Sequence, residues 1–82
     1  MRLKYIIFGH QGEEVPVVFP ADIMHKAMMI HDHLNGRAWP VSAGFCEMDS
    51  SGVLCFGESE SLKLKSRPAE DAAIIFDYYK PS

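Results

Sequence analysis

Apolar residues alternate with short polar stretches in the first quarter of the chain in a way that predicts a β-hairpin. Residues 3–8 and 15–19 are rich in β-branched and aromatic side chains, which favour strands. Residues 9–14 between them are polar and contain two glycines, as expected for a loop of medium length. Pro16 cannot donate to a ladder, so the second strand is predicted to lie at a sheet edge or to begin there.

The next segment has the periodicity of a helix. Over residues 21–34, one apolar stripe recurs at spacings of four, three and four: Ile23, Ala27, Ile30 and Leu34. Pro20 suits the first turn and Asp22 complements the helix dipole. Asn35 and Gly36 form a stop signal, and residues 37–40 are predicted to be a connector.

The second half repeats the order of strand, strand and helix. Residues 41–48 and 53–57 read as strands around the turn signal of residues 49–52. Residues 58–65 either extend the second of these strands or form a short extra one. A helix is predicted from a cap at Ser66 or Arg67 to about Tyr79, with Pro68 in its first turn.

These elements predict one domain over residues 1–82 with an α+β fold. The order ββαββα gives, in its simplest form, a four-stranded antiparallel sheet with both helices packed on one face. At this size a chain buries only about 60–65% of its unfolded surface. We therefore expect a homodimer, in which a second copy covers the open face or joins the sheet edges.

Composition and charge exclude several functions. Of the residues, 48% are hydrophobic and 11% aromatic, so disorder is not expected. Eight basic residues against eleven acidic ones give a net charge of −3, which disfavours non-specific nucleic-acid binding. No apolar run is long enough to span a bilayer, and the N-terminal segment lacks the features of a signal peptide. We expect a cytoplasmic protein that does not engage a membrane.

A combination of short patterns in the second half resembles one protein family. The patterns are Ala43-Gly44-Phe45, then residues 57–62 with the sequence GESESL, then Ser66-Arg67-Pro68 followed by Asp71. Together they resemble small uncharacterised proteins encoded by tailed phages and prophages. The resemblance implies an accessory protein of a mobile element but no mechanism. It implies no activity and transfers no functional residue. From the small size and the Met-rich first helix we expect the protein to dock to a host or phage protein.

Three histidines in the first predicted helix raise the question of a metal site. His25, His31 and His33 have neither of the spacings, three or four, that place two ligands on one helix face. We therefore expect them on a partly exposed helix surface, with no metal and no cofactor bound. A site completed by His10 or by a partner chain is the alternative.

Two cysteines flank the predicted turn of the second hairpin. A loop of two or four residues places Cys46 opposite Cys55 and Met48 opposite Val53, because paired residue numbers then sum to 101. Free cysteines are commonly buried as small apolar residues. A redox pair, acting with the histidines in a metal- or redox-responsive protein, is the alternative.

The residues expected at an interaction surface are methionines and aromatics. Unbranched thioethers serve adaptable binding surfaces, and the apolar arc of the first predicted helix is broader than one sheet contact requires. Aromatic residues are rich in interface hot spots. The interaction residues so predicted are Met24, Met28, His31, Trp39, Tyr78 and Tyr79.

The last candidate is a basic row. Lys63, Lys65 and Arg67 alternate and would lie on one side of an extended segment, where they could contact phosphate. The ordinary interpretation is a solvated edge that prevents aggregation.

No motif supplies both a base and a nucleophile, and the serines lack the context of a hydrolase elbow. The sequence thus favours a non-enzymatic protein that acts by protein–protein interaction, with a metal- or redox-responsive protein and a nucleic-acid-associated protein as alternatives.

Overall fold

A computed structural model describes residues 2–30 and 38–80 of the chain. His31, His33 and the predicted helix stop at Asn35 and Gly36 lie outside these residues. The described elements are β1 (Arg2–His10), β2 (Glu13–Pro20), α1 (His25–Ile30), β3 (Trp39–Asp49), β4 (Gly52–Phe56), β5 (Glu58–Ser59), β6 (Leu64–Lys65) and α2 (Pro68–Tyr79).

Four of the strands form one antiparallel sheet in the order β2-β1-β3-β4. This confirms the α+β class and the four-stranded antiparallel sheet. The short strands β5 and β6 pair with each other as a separate hairpin, so residues 58–65 add strands rather than extend β4. Strand β2 lies at an edge, as Pro16 predicts.

The two hairpins of the sheet have short turns. In the first, the strands continue to the pair His10↔Glu13, and only Gln11 and Gly12 remain in the turn. Both have positive φ, 52° and 81°, as in the type I′ turn that fits the twist of a hairpin. The predicted six-residue loop was therefore too long. The second hairpin has the predicted register, with Cys46 opposite Cys55 and Met48 opposite Val53.

The placement of the helices differs from the expected one, because they cover opposite faces of the sheet. Tyr5 and Ile7 of β1 pack in a cluster with Ile75 of α2. The alternate β1 residues, Ile6 and Phe8, pack in a second cluster that includes Met28 of α1. The physical reason lies in β1 itself. Its run of consecutive apolar residues is buried on both faces, so each face needs its own cover.

Helix α1 is shorter at its start than the periodicity predicts. Its first residue is His25 rather than Ala21, and a turn closed by a 3.1 Å hydrogen bond from Ile23 N–H to the carbonyl of Pro20 precedes it. Ser61 Oγ, from the β5–β6 hairpin, accepts a 3.3 Å hydrogen bond from the backbone N–H of Lys26. A distant side chain thus satisfies one of the free donors at this helix end.

The predicted connector at residues 37–40 is partly strand. Trp39 and Pro40 belong to β3, where Pro40 lies opposite Phe8. The register shifts there, since Ile7 pairs with Ser42 and leaves one extra residue on β3. A bulge of this kind accommodates a proline that cannot donate to the ladder.

None of the described helices is long and apolar enough to cross a membrane.

Candidate functional site

An open cleft of ≈430 Å³ lies on the α1 face of the sheet, where α1 and the β5–β6 hairpin meet the strands. Residues of β1, α1, β3 and β5 and of the connections beside them contribute to it. Its lining residues are Lys4, Met24, His25, Phe45, Gly57, Glu58, Glu60 and Ser61. Of these, the sequence singled out Met24 as an interaction residue and His25 as a possible metal ligand.

His25 forms the inner wall of the cleft and is 4% exposed. Its Nε2 lies 2.9 Å from the carbonyl oxygen of Gly44, and since a carbonyl only accepts, Nε2 carries the proton. The ring packs edge-on against Phe19 and Phe45 at centroid distances of 5.4 and 6.1 Å. Burial lowers the pKa of His25, and the nearby charge of Lys4 adds to this, while the Gly44 carbonyl opposes it. The expected exposed histidine is therefore a buried, neutral one.

The floor of the cleft is aromatic. Phe45 stacks on its cross-strand partner Phe56 at a centroid distance of 6.0 Å. The Lys4 ammonium lies 6.0 Å from the Phe45 ring centre and donates a 2.9 Å hydrogen bond to the carbonyl of Ile23. The Arg2 guanidinium lies 5.3 Å from the Phe56 ring centre. These cations are held against the rings, where cation–π attraction is favourable.

Two acidic side chains and one exposed methionine also line the cleft. Glu58 and Glu60 are exposed, and in the described part of the chain neither carboxylate forms an ion pair. Met24, which also lines the cleft, is 60% exposed. The cleft therefore offers an apolar floor, a flexible apolar lip and two carboxylates free to meet a cation.

Two glycines let the β5–β6 hairpin approach the sheet. A Cβ on Gly44 would lie 2.6 Å from the carbonyl oxygen of Phe56, closer than any side chain tolerates. Gly57 has a φ of 76°, a conformation that favours glycine. Its carbonyl accepts a 3.1 Å hydrogen bond from Ser66 N–H, which closes the base of the hairpin. Both glycines belong to the patterns that carry the phage resemblance, and here they shape the cleft.

On the other face, Arg67 and Asp71 form a buried polar network. Asp71 is fully buried. Its Oδ2 accepts hydrogen bonds from the Tyr5 hydroxyl at 2.5 Å and the Arg67 backbone N–H at 2.8 Å. Its Oδ1 accepts from Ser42 Oγ at 2.9 Å and from Arg67 Nε at 3.0 Å. A buried carboxylate needs such partners, so the last helix is tied to β1 and β3 through one side chain.

The predicted basic row does not form. The Arg67 guanidinium turns inward, where it pairs with Asp71 at 2.9 Å and donates to both carboxylate oxygens of Glu14 at 3.0 and 3.2 Å. The hydrogen bonds to Glu14 raise the pKa of Arg67. Lys63 lies in the β5–β6 turn with a φ of 57°, while Lys65 lies in β6. The three cations therefore do not share an extended segment.

The cysteines are free thiols on the α2 face. Cys46 and Cys55 lie opposite each other and are both buried. Burial raises the pKa of Cys46 to about 11 and that of Cys55 to about 12. Within residues 2–30 and 38–80, no group of three or more His, Cys, Asp or Glu side chains is placed to hold a metal ion.

The predicted interaction residues do not form one surface. Met24 lines the cleft, and Met28 is half-buried against the core of the α1 face. Trp39 lies over Gly9 at the far end of β1 and is exposed. Tyr78 and Tyr79 are exposed on α2, on the opposite face, with ring centres 5.1 Å apart. His31 lies outside the described residues.

Sequence reasoning did not identify most of the cleft, nor the partners of Asp71. In the sequence pattern, nothing distinguishes Lys4 and Phe45 from the other residues of the predicted strands. Their role depends on where α1 and the β5–β6 hairpin lie. The pattern does not set Asp71 apart either, because Glu70 and Asp71 both lie in the first turn of α2, where acids that compensate the helix dipole are usual.

Comparison of the chain with protein-family models, with curated proteins and with solved structures finds no match.

Proposed function

We propose that the chain is a small non-enzymatic accessory protein, of the phage or prophage type that its second half resembles, which acts in the cytoplasm as a homodimer. It binds another protein through the cleft of the α1 face. The observation that carries this proposal is the exposure of Met24, 60%, at the lip of a cleft with an aromatic floor. Exposed methionines beside apolar clefts are a recurrent means of adaptable protein recognition.

The lining of the cleft indicates the chemistry of the partner. Phe45 and Met24 present apolar surface to a side chain that enters the cleft. Glu58 and Glu60 on the rim favour a positive charge beside that side chain. The matching partner segment therefore has an apolar residue flanked by lysine or arginine.

Several contacts support a non-enzymatic role. The proton-bearing nitrogen of His25 is committed to the Gly44 carbonyl. Ser61 Oγ accepts from Lys26 N–H, and Ser59 Oγ accepts from Leu62 N–H at 3.2 Å. The cysteine thiols are buried and have raised pKa values, whereas a reactive cysteine is an exposed thiolate. These histidine, serine and cysteine side chains are thus engaged in the fold.

The same contacts argue against the two alternative functions. A metal- or redox-responsive protein would use His25, Cys46 and Cys55, yet the histidine lies on one face of the sheet and the thiols on the other. Nucleic-acid association through Lys63, Lys65 and Arg67 would need the guanidinium that Glu14 and Asp71 bind.

Site-specific photo-crosslinking tests the cleft. A photoreactive amino acid replaces Met24 in cells that express the protein, and the matched control carries it at Tyr78, equally exposed on the opposite face. We expect one partner to crosslink from position 24 and not from position 78. A partner that crosslinks only from position 78 would reject the cleft. The absence of any crosslinked protein from both positions would reject function by protein–protein interaction.

A peptide array tests the proposed chemistry with purified protein. Hexapeptides with a central leucine, methionine or phenylalanine carry either arginine or glutamate on both sides. We expect the arginine-flanked set to bind, and the double variant Glu58→Lys, Glu60→Lys to lose this binding. The variant Glu13→Lys, which changes an exposed acid on β2, is the control. Equal loss in the control would indicate a non-specific charge effect.

A further inference from the structure

The α1 face of the sheet is covered only in part. Three residues lie side by side in its outermost row, since Arg2 is opposite Glu47 and Glu47 is opposite Leu54. All three are exposed, Leu54 to 59%. Leu54 faces this side because its neighbour Cys55 is buried in the cluster of the α2 face. The outermost row therefore exposes an apolar side chain to solvent.

This row adjoins the floor of the cleft. The next residue of β4 on the same face is Phe56, about 7 Å from Leu54 along the strand, and Phe56 stacks on Phe45 of the cleft floor. The Arg2 guanidinium lies over both rings, 5.3 Å from the centre of Phe56 and 5.9 Å from that of Phe45. Phe45, Phe56 and Leu54 thus form one apolar surface, which starts in the cleft and ends at Leu54.

Three exposed carboxylates border this surface. Glu47 lies in the outermost row, while Glu58 and Glu60 line the cleft. In the part of the chain that the structure describes, none of the three forms an ion pair. The Arg2 and Lys4 cations of the same face are held against the aromatic rings. The border therefore favours a partner that brings positive charge.

The face of a sheet also selects the conformation of a segment that covers it. The backbone N–H and C=O groups of the strands point toward neighbouring strands and not out of the face. A single extended segment buried on this face would leave its own backbone groups without partners, whereas a helix pairs these groups internally. Helix residues i and i+4 lie about 6 Å apart along the axis, close to the spacing of about 7 Å between Phe56 and Leu54.

We infer that a basic amphipathic helix of the partner protein covers this surface. This inference rests on the proposed function and deepens it, since it states which element of the partner binds. One apolar residue of the helix enters the cleft at the row of Phe45 and Phe56, and a second, one turn away, packs on Leu54. Lysine or arginine residues on the flanks of the helix meet the three border carboxylates. A helix in an apolar groove is a recurrent mode of peptide recognition.

Two peptides that differ in one residue test the second anchor with purified protein. Both are alanine-based helices of about 16 residues with arginines on their flanks. The first carries leucine at positions i and i+4, whereas the second carries leucine at i and alanine at i+4. Fluorescence anisotropy should show that the wild-type chain binds the first peptide about tenfold more tightly than the second. In Leu54→Gln this preference should disappear, because the second leucine loses its contact.

The matched control is Tyr78→Gln, because Tyr78 is as exposed as Leu54, 59%, and lies on the opposite face. It should keep the preference, and circular dichroism checks that both variants are folded. A wild-type chain without the preference, or a Leu54→Gln variant that retains it, would overturn the inference. Equally tight binding of a two-leucine peptide with a central proline, which cannot form the helix, would also contradict it.

The arginine-flanked hexapeptides separate failure of the helix from failure of the proposed function. A chain that binds these hexapeptides but has no preference between the helical peptides would overturn the helix alone. A chain that binds none of the peptides would reject both.

Crosslinking from position 54 examines the same surface in cells. A photoreactive amino acid at this position should capture the same partner as one at position 24. Capture of a different protein or of a second copy of this chain from position 54 would overturn the inference without affecting the partner found from position 24.

Discussion

The hydroxyl group of Tyr5 donates a 2.5 Å hydrogen bond to Oδ2 of Asp71, 66 positions later in the chain. This contact joins the first strand to the last helix inside the core of the α2 face. Burial of Tyr5, followed by the hydrogen bond and charge of Asp71, raises the pKa of Tyr5 well above its ordinary value. The phenol therefore stays protonated and acts as a donor.

Removal of the Asp71 carboxylate is expected to be among the most damaging single changes. Asp71→Ala leaves the Arg67 guanidinium, the Tyr5 hydroxyl and Ser42 Oγ without their shared acceptor. Breaking one side of a buried pair costs about 3–5 kcal/mol of the free energy of unfolding. Urea denaturation measures this loss, and Asp77→Ala, at an exposed position of the same helix, is the control. A loss below about 1 kcal/mol would contradict the prediction.

Mild acid is expected to destabilise the fold through His25. Burial lowers the pKa of His25 from 6.5. Between pH 6.5 and the lower pKa of His25 in the folded protein, the unfolded chain therefore binds more protons than the folded one. The free energy of unfolding then falls as pH decreases below about 6.5. Denaturation midpoints at pH 7 and pH 5 measure the effect. His25→Gln does not titrate and should show a smaller fall. Parallel profiles for the two proteins would show that His25 does not contribute.

Alkaline pH is expected to destabilise the fold through Cys46 and Cys55, which lie on the α2 face. The pKa values of Cys46 and Cys55 rise from 9.0 to about 11 and about 12 on folding, so these groups keep protons that the unfolded chain loses. Their contribution is present below pH 9 and is lost as pH rises through the folded values. Denaturation between pH 8 and pH 11 measures this decline, which Cys55→Ala should make shallower. A stability that is constant to pH 11 would contradict it.

The thiols are expected to resist modification in the native protein. Because both are buried and protonated, a thiol reagent at pH 8 should react only when the protein unfolds. The measurement is the number of groups modified with and without 6 M guanidinium chloride. We expect two groups in the denatured protein and none within minutes in the native one. Rapid reaction of the native thiols would show that the α2 face opens readily.

Gly44 is expected to be intolerant of a methyl group. In Gly44→Ala the new Cβ meets the Phe56 carbonyl at 2.6 Å, and the forced shift costs about 1–3 kcal/mol. Gly12→Ala, with no atom within 4 Å but a φ of 81°, is the matched control and should cost about 1 kcal/mol. The NMR signal of His25 Nε2–H should move only in the first variant, because its acceptor is the Gly44 carbonyl. An unchanged signal would indicate that β3 absorbs the shift.

Local patterns predicted the elements well where the decisive interactions are local. The turn residues Asp49 and Gly52 define the second hairpin, and its register followed from simple counting. Asp49 reinforces that turn by accepting hydrogen bonds from the backbone N–H groups of Ser51 and Gly52, at 2.8 and 3.2 Å. Pro16 likewise identified an edge strand from its missing donor.

Contacts between segments that are distant in the chain could not be predicted from local sequence patterns. The first turn of the first helix uses a side-chain acceptor from Ser61, 35 positions beyond Lys26. His25 is buried where its ring meets the carbonyl of Gly44, 19 positions later. The opposite placement of the helices had a visible signal, the run of apolar residues in β1, which alternation of a one-sided sheet would not produce. The candidate cleft combines residues from several such distant contacts.

The prolines of β2 also limit how large an assembly this sheet can build. Proline has no N–H, so the pair Leu3↔Pro20 is not hydrogen-bonded, and the β2 residues whose backbone groups point away from β1 are Glu14, Pro16, Val18 and Pro20. The two prolines offer no N–H on that side. A strand arriving at that side would find every second donor missing. Strand addition at β2 is thus hindered, so raising the protein concentration should not produce fibres that grow through this edge.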